Sequence, residues 1–400
     1  MSDAFLPYGR QSIDQADIDA VVAVLKSDWL TTGPAVERFE EAARAATGAR
    51  HALACSNGTA ALHLGALAMG LAPGEALVVP TLTFLATANC ARYVGAEVLF
   101  ADVDPESGLT TPDHIEEALT RAGQATPRAI APVHLAGQTV DLPAIAELAR
   151  RRGLAVMEDA CHAIGGTYQR KDGMAKVGAC ADSDLAAFSL HPVKTVTMAE
   201  GGIVTTNDDV LAERVARLRT HGMMRDPARF SEREQAFTDD VPNPWYYEMP
   251  EVGLNYRASD LHCALGAAQL ARLDRFVARR AELVSIYDEV LTDLAPVVRP
   301  TALRAGQQPG WHLYVVLIEF GALGISRAEV MARLKEKGIG SQVHYLPVHR
   351  QPYYRERYGT LDLPGADAFY ERCLSLPLYP GMADEDVERV AETLRGIVMG

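Results

Sequence analysis

Cysteine is scarce and scattered in this chain of 400 residues. The six cysteines form no Cys-x-x-Cys pair, and a chain with 48% hydrophobic residues can build its core without disulfides. We therefore expect reduced thiols and a cytoplasmic protein. No metal site is expected either, because His344 and His349 have no third ligand at a metal-like spacing.

Positive charge and long apolar runs are also lacking. The 38 Lys and Arg residues against 52 Asp and Glu residues give a net charge of −14, which argues against a nucleic-acid partner. A few local arginines can still bind an anionic small molecule. No apolar run approaches the length of a membrane span, and residues 1–5 lack a basic region followed by an apolar stretch. We expect neither a membrane association nor a signal peptide.

Short apolar runs alternate with helical patterns along the first half of the chain. This alternation predicts an α/β fold in which a mainly parallel, seven-stranded sheet is covered by helices on both faces. In such sheets, ligands bind at the carboxyl ends of the strands. The predicted strands are 51–55, 76–79, 97–100, 128–133, 154–158, 184–188 and 201–205.

Four hundred residues exceed the size of one core, so we predict two domains. Residues 1–250 would form a large domain with an N-terminal arm, and residues 13–26 are predicted to form an amphipathic helix. Residues 251–400 would form a smaller α+β domain. Its predicted elements are a helix-rich stretch at 259–293, a strand at 311–320, a helix at 327–337, a second strand near Ser341 and a helix at 384–398.

Lys194 and Asp159 carry the most specific chemical signal. Asp159 ends an apolar strand, and Lys194 follows it by 35 residues in the run Phe-Ser-Leu-His-Pro-Val-Lys. An enzyme that uses pyridoxal 5′-phosphate (PLP) needs a lysine to form a Schiff base with the aldehyde. It also needs a carboxylate to keep the ring nitrogen protonated. We interpret Lys194 and Asp159 as these two catalytic groups.

A phosphate site is predicted where strand 51–55 turns into a helix. Gly58 lets the backbone approach an anion, Thr59 adds a hydroxyl, and the helix N-terminus offers free N–H groups. An ordinary Asn-Gly turn beside a helix cap explains the same residues equally well in isolation. Ser189, five residues before Lys194, is a further candidate, although an isolated serine is more often only a satisfied polar residue.

Other candidates rest on position alone. His162 is placed to reach the pyridoxal hydroxyl, or else is a buried structural histidine, and Phe84 would stack on the ring or pack in the core. Arg257 offers a fork of donors to a carboxylate or phosphate, and Asn255 beside it can bind phosphate, but a helix-start turn is the simpler reading. The loop with His344 and Tyr345 would form a binding wall or merely pack.

Together these segments resemble the DegT/DnrJ/StrS family of PLP-dependent sugar aminotransferases, nearly from end to end. The matching motifs are Ser-Asn-Gly-Thr-Ala-Ala-Leu, Pro-Thr-x-Thr-Phe-x-Ala-Thr-Ala-Asn, Glu-Asp-Ala, Phe-Ser-x-His-Pro-x-Lys and Gly-x-Asn-Tyr-Arg. The resemblance implies the aspartate aminotransferase-like type I fold and a homodimer with shared active sites.

By the same resemblance, Lys194 would hold PLP and Asp159 would pair with its ring nitrogen. Thr59 and Ser189 would bind its phosphate, with Asn255 contributed by the neighbouring subunit. Phe84 and Cys161 would border the ring, although many members carry alanine in place of Cys161 and glutamine in place of His162. The substrate side would include Tyr8, Arg257, His344 and Tyr345.

Three stretches resemble the aminotransferases of pseudaminic-acid biosynthesis: residues 245–249, 344–354 and 374–380. The implied reaction moves an amino group from L-glutamate to C4 of UDP-2-acetamido-2,6-dideoxy-β-L-arabino-hexos-4-ulose. The alternatives are another UDP-, dTDP- or GDP-linked keto sugar, a PLP-dependent sugar dehydratase, and a non-catalytic PLP sensor. Lys194 argues against the dehydratase, because some such relatives carry histidine there.

Overall fold

The structure is a computed structural model that describes residues 4–400. Residues 1–3, which belong to the segment where no signal peptide is expected, lie outside the described residues. Within the described part of the chain, no helix is both long and apolar enough to cross a membrane.

A seven-stranded sheet forms the centre of the larger part of the molecule, in the spatial order β1-β9-β8-β5-β4-β2-β3. Its strands are β1 (His51–Cys55), β2 (Glu75–Pro80), β3 (Glu97–Ala101), β4 (Thr126–Ile130), β5 (Ala155–Asp159), β8 (Leu185–Ser189) and β9 (Gly202–Thr206). The pairs from β3 through β2, β4 and β5 to β8 are parallel, and β9 runs against both of its neighbours. The predicted α/β fold with a mainly parallel sheet is confirmed.

Helices connect most of these strands. They are α1 (Gln15–Leu25), α2 (Pro34–Thr47), α3 (Gly58–Ala68), α4 (Leu85–Tyr93), α5 (Pro112–Thr120), α6 (Leu142–Arg152) and α7 (Asp209–Leu218). Helix α6 illustrates why they form where they do. Asp141 caps its first turn by accepting from Ala144 N–H, and Gly153 ends it in the left-handed conformation.

The second half of the chain builds a smaller, antiparallel sheet in the order β12-β14-β15. Its strands are β12 (Val298–Pro300), β14 (Tyr314–Ile318) and β15 (Cys373–Leu376), and the helices around them are α9 (Asp260–Leu270), α10 (Leu273–Val290), α11 (Phe320–Leu323), α12 (Arg327–Glu336), α13 (Pro352–Tyr358), α14 (Pro364–Arg372) and α15 (Asp384–Val398). The predicted strand at 311–320 is thus shorter and begins three residues later.

The strand predicted near Ser341 does not form. Gln342 makes one isolated bridge with Ser375, through a pair of backbone hydrogen bonds, and the chain then leaves the sheet. The next residues, Val343 to Tyr345, turn into the wall of a cavity. Their apolar and aromatic character therefore reflects that wall rather than a strand.

Smaller elements complete the described chain. A three-stranded antiparallel sheet joins β6 (Thr167–Arg170), β7 (Gly173–Lys176) and β13 (Gln307–Gln308). The segment between α7 and α9 contains the short helix α8 (Arg233–Ala236) and a two-stranded ribbon of β10 (Phe237–Thr238) and β11 (Val241–Pro242). Short 3-10 helices lie at Leu135–Gly137, Pro227–Arg229, Thr292–Leu294 and Val348–Arg350.

Strand β14 lies between two groups of buried apolar residues. Val315 and Leu317 belong to the group around the large sheet, whereas Tyr314 and Val316 belong to a second group with α10 and α15. This follows from the alternation of side chains along a strand. The domain border near residue 250 stays a prediction.

Helix α1 forms where the amphipathic pattern predicted it, but three of its apolar side chains are exposed. Only Asp17 and Val24 are buried, and Asp17 bonds to the side chains of Arg272 and Gln269. Ile18, Val22 and Leu25, spaced to share one side of the helix, are exposed.

Candidate active site

One cavity of about 610 Å³ opens at the carboxyl ends of β1, β5 and β8. A volume of this size is typical of small-molecule sites. Most of the residues predicted from the sequence line it. They are Tyr8, Gly58, Thr59, Phe84, Asp159, His162, Ser189, Lys194, His344 and Tyr345.

The N-terminus of α3 forms one end of the cavity. Asn57 caps the helix by accepting from Ala60 N–H at 2.8 Å, while the N–H groups of Gly58 and Thr59 have no hydrogen-bond partner among residues 4–400. Gly58 packs against Ser189 so closely that a Cβ at this position would lie 2.7 Å from the Ser189 Cβ. This end therefore offers free backbone donors and two hydroxyls, which suits a phosphate.

Asp159 and Glu158 point to opposite sides at the end of β5, as neighbours on a strand must. Glu158 faces the protein interior, where one oxygen lies 3.0 Å from His134 Nε2 and the other binds the Ser183 hydroxyl. Asp159 faces the cavity. Its Oδ1 accepts from the Cys161 backbone N–H at 3.2 Å, and its Oδ2 accepts from the Thr87 hydroxyl at 2.6 Å.

Lys194 lies on the loop between β8 and β9, which is closed by a backbone bond from Leu190 N–H to Gly201 C=O. No carboxylate of the described residues lies within ion-pair distance of its Nζ. Burial lowers the pKa of Lys194 below its ordinary value, against smaller opposing effects of Cys161 and Asp159. A half-buried, unpaired amine of lowered pKa is suited to act as a nucleophile and as a base.

His162 is buried and both of its ring nitrogens have protein partners. The backbone N–H of Ala136 points to Nδ1 at 3.3 Å, and the Tyr345 hydroxyl lies 3.1 Å from Nε2. Burial holds the pKa of His162 well below its usual range, so the ring is neutral. Because an N–H can only donate, Nδ1 must accept and Nε2 must carry the proton.

This tautomer sets the direction of the hydrogen bond to Tyr345. His162 donates to the Tyr345 oxygen, so the phenolic proton is free to point into the cavity that Tyr345 lines. Burial also raises the pKa of Tyr345, which keeps the phenol protonated. In this arrangement Tyr345 is the donor that His162 orients.

Two more histidines complete this wall. His344 Nδ1 lies 2.7 Å from the Ser375 hydroxyl, and burial lowers the pKa of His344 to about 3. His312, which sequence reasoning missed, packs its ring 4.4 Å from that of His162, and its buried Nδ1 has no protein partner. The motif Trp-His-Leu-Tyr before β14 was its only sequence signal. Among the lysines and arginines of residues 4–400, only Lys194 lines the cavity.

Asn255 and Arg257 do not line the cavity of their own chain. Asn255 is exposed and Arg257 is half-buried, on a segment that bonds to Ser56 through the Tyr256 carbonyl. Both stay predictions. No group of three or more metal-ligating side chains that could hold an ion occurs in the described part of the chain.

The profile of the DegT/DnrJ/EryC1/StrS aminotransferase family matches residues 11–395. The chain belongs to this family. Among curated relatives, the spore coat polysaccharide biosynthesis protein SpsC of Bacillus subtilis (strain 168) is 38% identical in an alignment 400 residues long, which covers 99% of this chain and 98% of SpsC.

Solved structures of family members superpose over almost the whole chain. Helicobacter pylori PseC, an aminotransferase of pseudaminic-acid biosynthesis, is 28% identical with a TM-score of 0.87, covering 99% of both chains. The PLP form of the sugar aminotransferase Spr1654 from Streptococcus pneumoniae is 26% identical with a TM-score of 0.85, again covering 99% of both. The protein is therefore a PLP-dependent sugar aminotransferase, which acts on a sugar and an amino donor.

The cavity fits the cofactor of this family. The free N–H groups at α3 suit its phosphate, the Asp159 carboxylate suits a protonated ring nitrogen, and the Lys194 amine suits its aldehyde. The three groups follow the ends of β1, β5 and β8, which lie on the same side of the sheet because these strands point the same way.

Proposed function

We propose that the protein transfers an amino group from L-glutamate to C4 of a UDP-linked 4-keto-6-deoxy-N-acetylhexosamine. The proposed sugar is UDP-2-acetamido-2,6-dideoxy-β-L-arabino-hexos-4-ulose, an intermediate of pseudaminic-acid biosynthesis. The likeness to PseC over the full chain supports this choice, together with the three sequence stretches that resemble such enzymes. The six free cysteines, five of them buried, suit a reducing compartment such as the cytoplasm.

Lys194 is the proposed catalytic residue. Its Nζ would hold the cofactor, and the same amine, when free, would take up and return a proton at the substrate carbon. The single observation that carries this role is a lysine that faces the cavity without a carboxylate partner, with its pKa lowered by burial. A lysine locked in an ion pair could not take up a proton near neutral pH.

Asp159 is the proposed partner of the ring nitrogen. When bound, PLP draws electrons away from the carbon that bears the amino group, and it does so best with a protonated ring. Asp159 accepts one protein hydrogen bond on each oxygen, which leaves acceptor capacity directed to the cavity. Phe84 and Cys161 also line the cavity and would border the ring in this proposal.

The two ends of the cavity are assigned to the cofactor phosphate and to the sugar by the hydrogen-bond donors that line each end. Gly58, Thr59 and Ser189 bind the cofactor phosphate. His162, expected from the sequence to contact the cofactor, has protein partners on both ring nitrogens and acts by orienting the Tyr345 hydroxyl. Tyr8, His344 and Tyr345 form the sugar wall, where the rings of Tyr8 and His344 lie 5.5 Å apart.

A second copy of the chain completes the site in this proposal. Asn255 and Arg257 cannot serve the cavity of their own chain, and they lie close to exposed apolar residues. The Asp260 N–H bonds to the Leu30 carbonyl at 3.0 Å, which places Trp29 and Leu30, 55% and 47% exposed, next to this segment. A homodimer interface here would cover that apolar surface.

Mixing two inactive variants tests the shared site. The mixed dimer contains one Lys194→Ala chain and one Asn255→Ala chain. If each site takes Lys194 from one chain and Asn255 from the other, one of its two sites carries both changes and the other carries neither. Equal mixing after reversible dissociation should therefore restore about a quarter of the wild-type sites. No recovery, with mixed dimers detected by mass, would remove Asn255 from the neighbouring site.

The substrate test uses the second half of the reaction. Glutamate should remove the visible absorbance of the lysine-bound cofactor, and after glutamate is washed out, a keto sugar should restore it. We expect recovery with the β-L-arabino UDP-4-keto sugar and little with its D-xylo C5 epimer. Recovery mainly with the D sugar would overturn the pseudaminic-acid assignment, and no loss with glutamate would overturn the donor.

A second candidate is an aminotransferase for a different nucleotide sugar. The observation that favours it is the 38% identity to SpsC, whose name places it in spore coat polysaccharide synthesis. Recovery of the absorbance with a dTDP-linked 4-keto sugar, and not with either UDP sugar, would select this candidate.

A further inference from the structure

Two threonines that have no role assigned so far lie beside Asp159. Thr87, in the first turn of α4, is fully buried, and its hydroxyl lies 2.6 Å from Asp159 Oδ2. Thr83 is buried just before the same helix, and its hydroxyl lies 2.7 Å from that of Thr87. The contact joins α4 to the end of β5, across 72 residues of sequence.

The direction of these hydrogen bonds follows from the chemistry of the groups. A carboxylate only accepts, so Thr87 donates its single hydroxyl proton to Asp159. The Phe84 carbonyl, at 3.2 Å, is a more distant alternative acceptor. Thr87 can then only accept from Thr83, which makes a chain of donors from Thr83 through Thr87 to Asp159.

We propose that Thr87, supported by Thr83, is a positioning residue that orients the Asp159 carboxylate and keeps the shared proton on the cofactor's ring nitrogen. This inference rests on the proposed role of Asp159. Hydrogen bonds to a carboxylate stabilise its charged form and so lower its attraction for a proton. In a chain, the first donor also strengthens the second.

The arrangement also leaves the side of the Asp159 carboxylate that faces the cavity free of protein hydrogen bonds. Thr87 occupies Oδ2 and the Cys161 backbone N–H occupies Oδ1 at 3.2 Å, so both oxygens are held from the protein side. The carboxylate cannot rotate without breaking both bonds. Its remaining lone pairs are presented to the cavity, where a ring N–H would meet them.

The test compares three holoenzyme variants. Thr87→Val keeps the shape and removes the donor, Thr87→Ser keeps the donor, and Thr83→Val removes only the outer hydroxyl. With PLP labelled with ¹⁵N in the ring, we expect the nitrogen signal of Thr87→Val to move toward the unprotonated position. Thr87→Ser should match wild type, and Thr83→Val should lie between.

PLP affinity gives a second, independent readout. Loss of a hydrogen bond to a charged group should weaken PLP binding by Thr87→Val about tenfold, and Thr87→Ser should restore it. If Thr87→Val equals wild type in both readouts while Asp159→Ala binds PLP poorly, the positioning role is refuted and the role of Asp159 stands. If Asp159→Ala also equals wild type, the proposed site itself fails. A misfolded Thr87→Val leaves Thr83→Val to decide by the same two measurements.

Discussion

Adding one methyl group at Gly58 should damage both stability and PLP binding, although alanine favours helices. A Cβ at Gly58 would lie 2.7 Å from the Ser189 Cβ and 3.1 Å from its Oγ, so α3 or the end of β8 must move. Overpacking of this kind costs about 1–3 kcal/mol. Replacing a helical glycine by alanine stabilises the folded protein by about 0.5–1 kcal/mol. The steric cost is the larger effect, so we expect a net loss near 1 kcal/mol.

Gly396 provides the matched control. It is also helical, in α15, and a Cβ there would meet nothing within 4 Å, so Gly396→Ala should show the helix gain alone. Urea unfolding of the cofactor-free proteins measures both changes. PLP titration should show about tenfold weaker binding for Gly58→Ala, because Thr59 and Ser189 separate, and no change for Gly396→Ala. A Gly58→Ala protein that gains stability like Gly396→Ala and binds PLP normally would refute the reasoning.

Three further predictions concern the ionisable groups. Lys194→Ala should lose visible cofactor absorbance and about 10³-fold or more in turnover, whereas near-normal turnover without added amine would contradict its role. His162→Phe and Tyr345→Phe should each slow the sugar step. Because His162 acts through Tyr345, the rate of the double variant should be no lower than that of the slower single variant. Additive losses of rate would argue against this dependence. The pKa of His344 is lowered to about 3 by burial, so between about pH 6 and 4 only the unfolded state takes up its proton. Stability should therefore fall as the pH falls, and His344→Gln should reduce that slope by about 1.4 kcal/mol per pH unit; an unchanged slope in urea unfolding would contradict it.

The sequence predicted those residues whose position follows from strand ends. Thr59, Asp159 and Ser189 each stand where a strand of one direction stops, and the geometry of parallel sheets brings such residues to one edge. The seven strands of the large sheet were predictable for a related reason, since buried parallel strands give short apolar runs.

Contacts between distant segments could not be predicted in this way. Thr87 faces Asp159 and the Ala136 N–H faces His162 only because α4 and the short 3-10 helix at Leu135–Gly137 pack against the end of β5. A neutral threonine or a backbone N–H carries no chemical signal in a sequence. The strand expected near Ser341 failed for a similar reason, because apolar residues that line a cavity resemble those of a strand.

The single reversed strand of the large sheet has a bearing on how Lys194 can move. Because β9 runs against β8, the loop that carries the lysine leaves and re-enters the sheet at the same edge, and bonds from Leu190 to Gly201 and from Met198 to Leu190 fasten its base. The turn between β1 and α3 leaves no spare room there, since a Cβ at Gly202 would lie 2.4 Å from the Asn57 carbonyl oxygen. The backbone at the base of the Lys194 loop is therefore fixed. Any movement of the Lys194 amine between the cofactor and the substrate must come from rotation within its own four-carbon side chain.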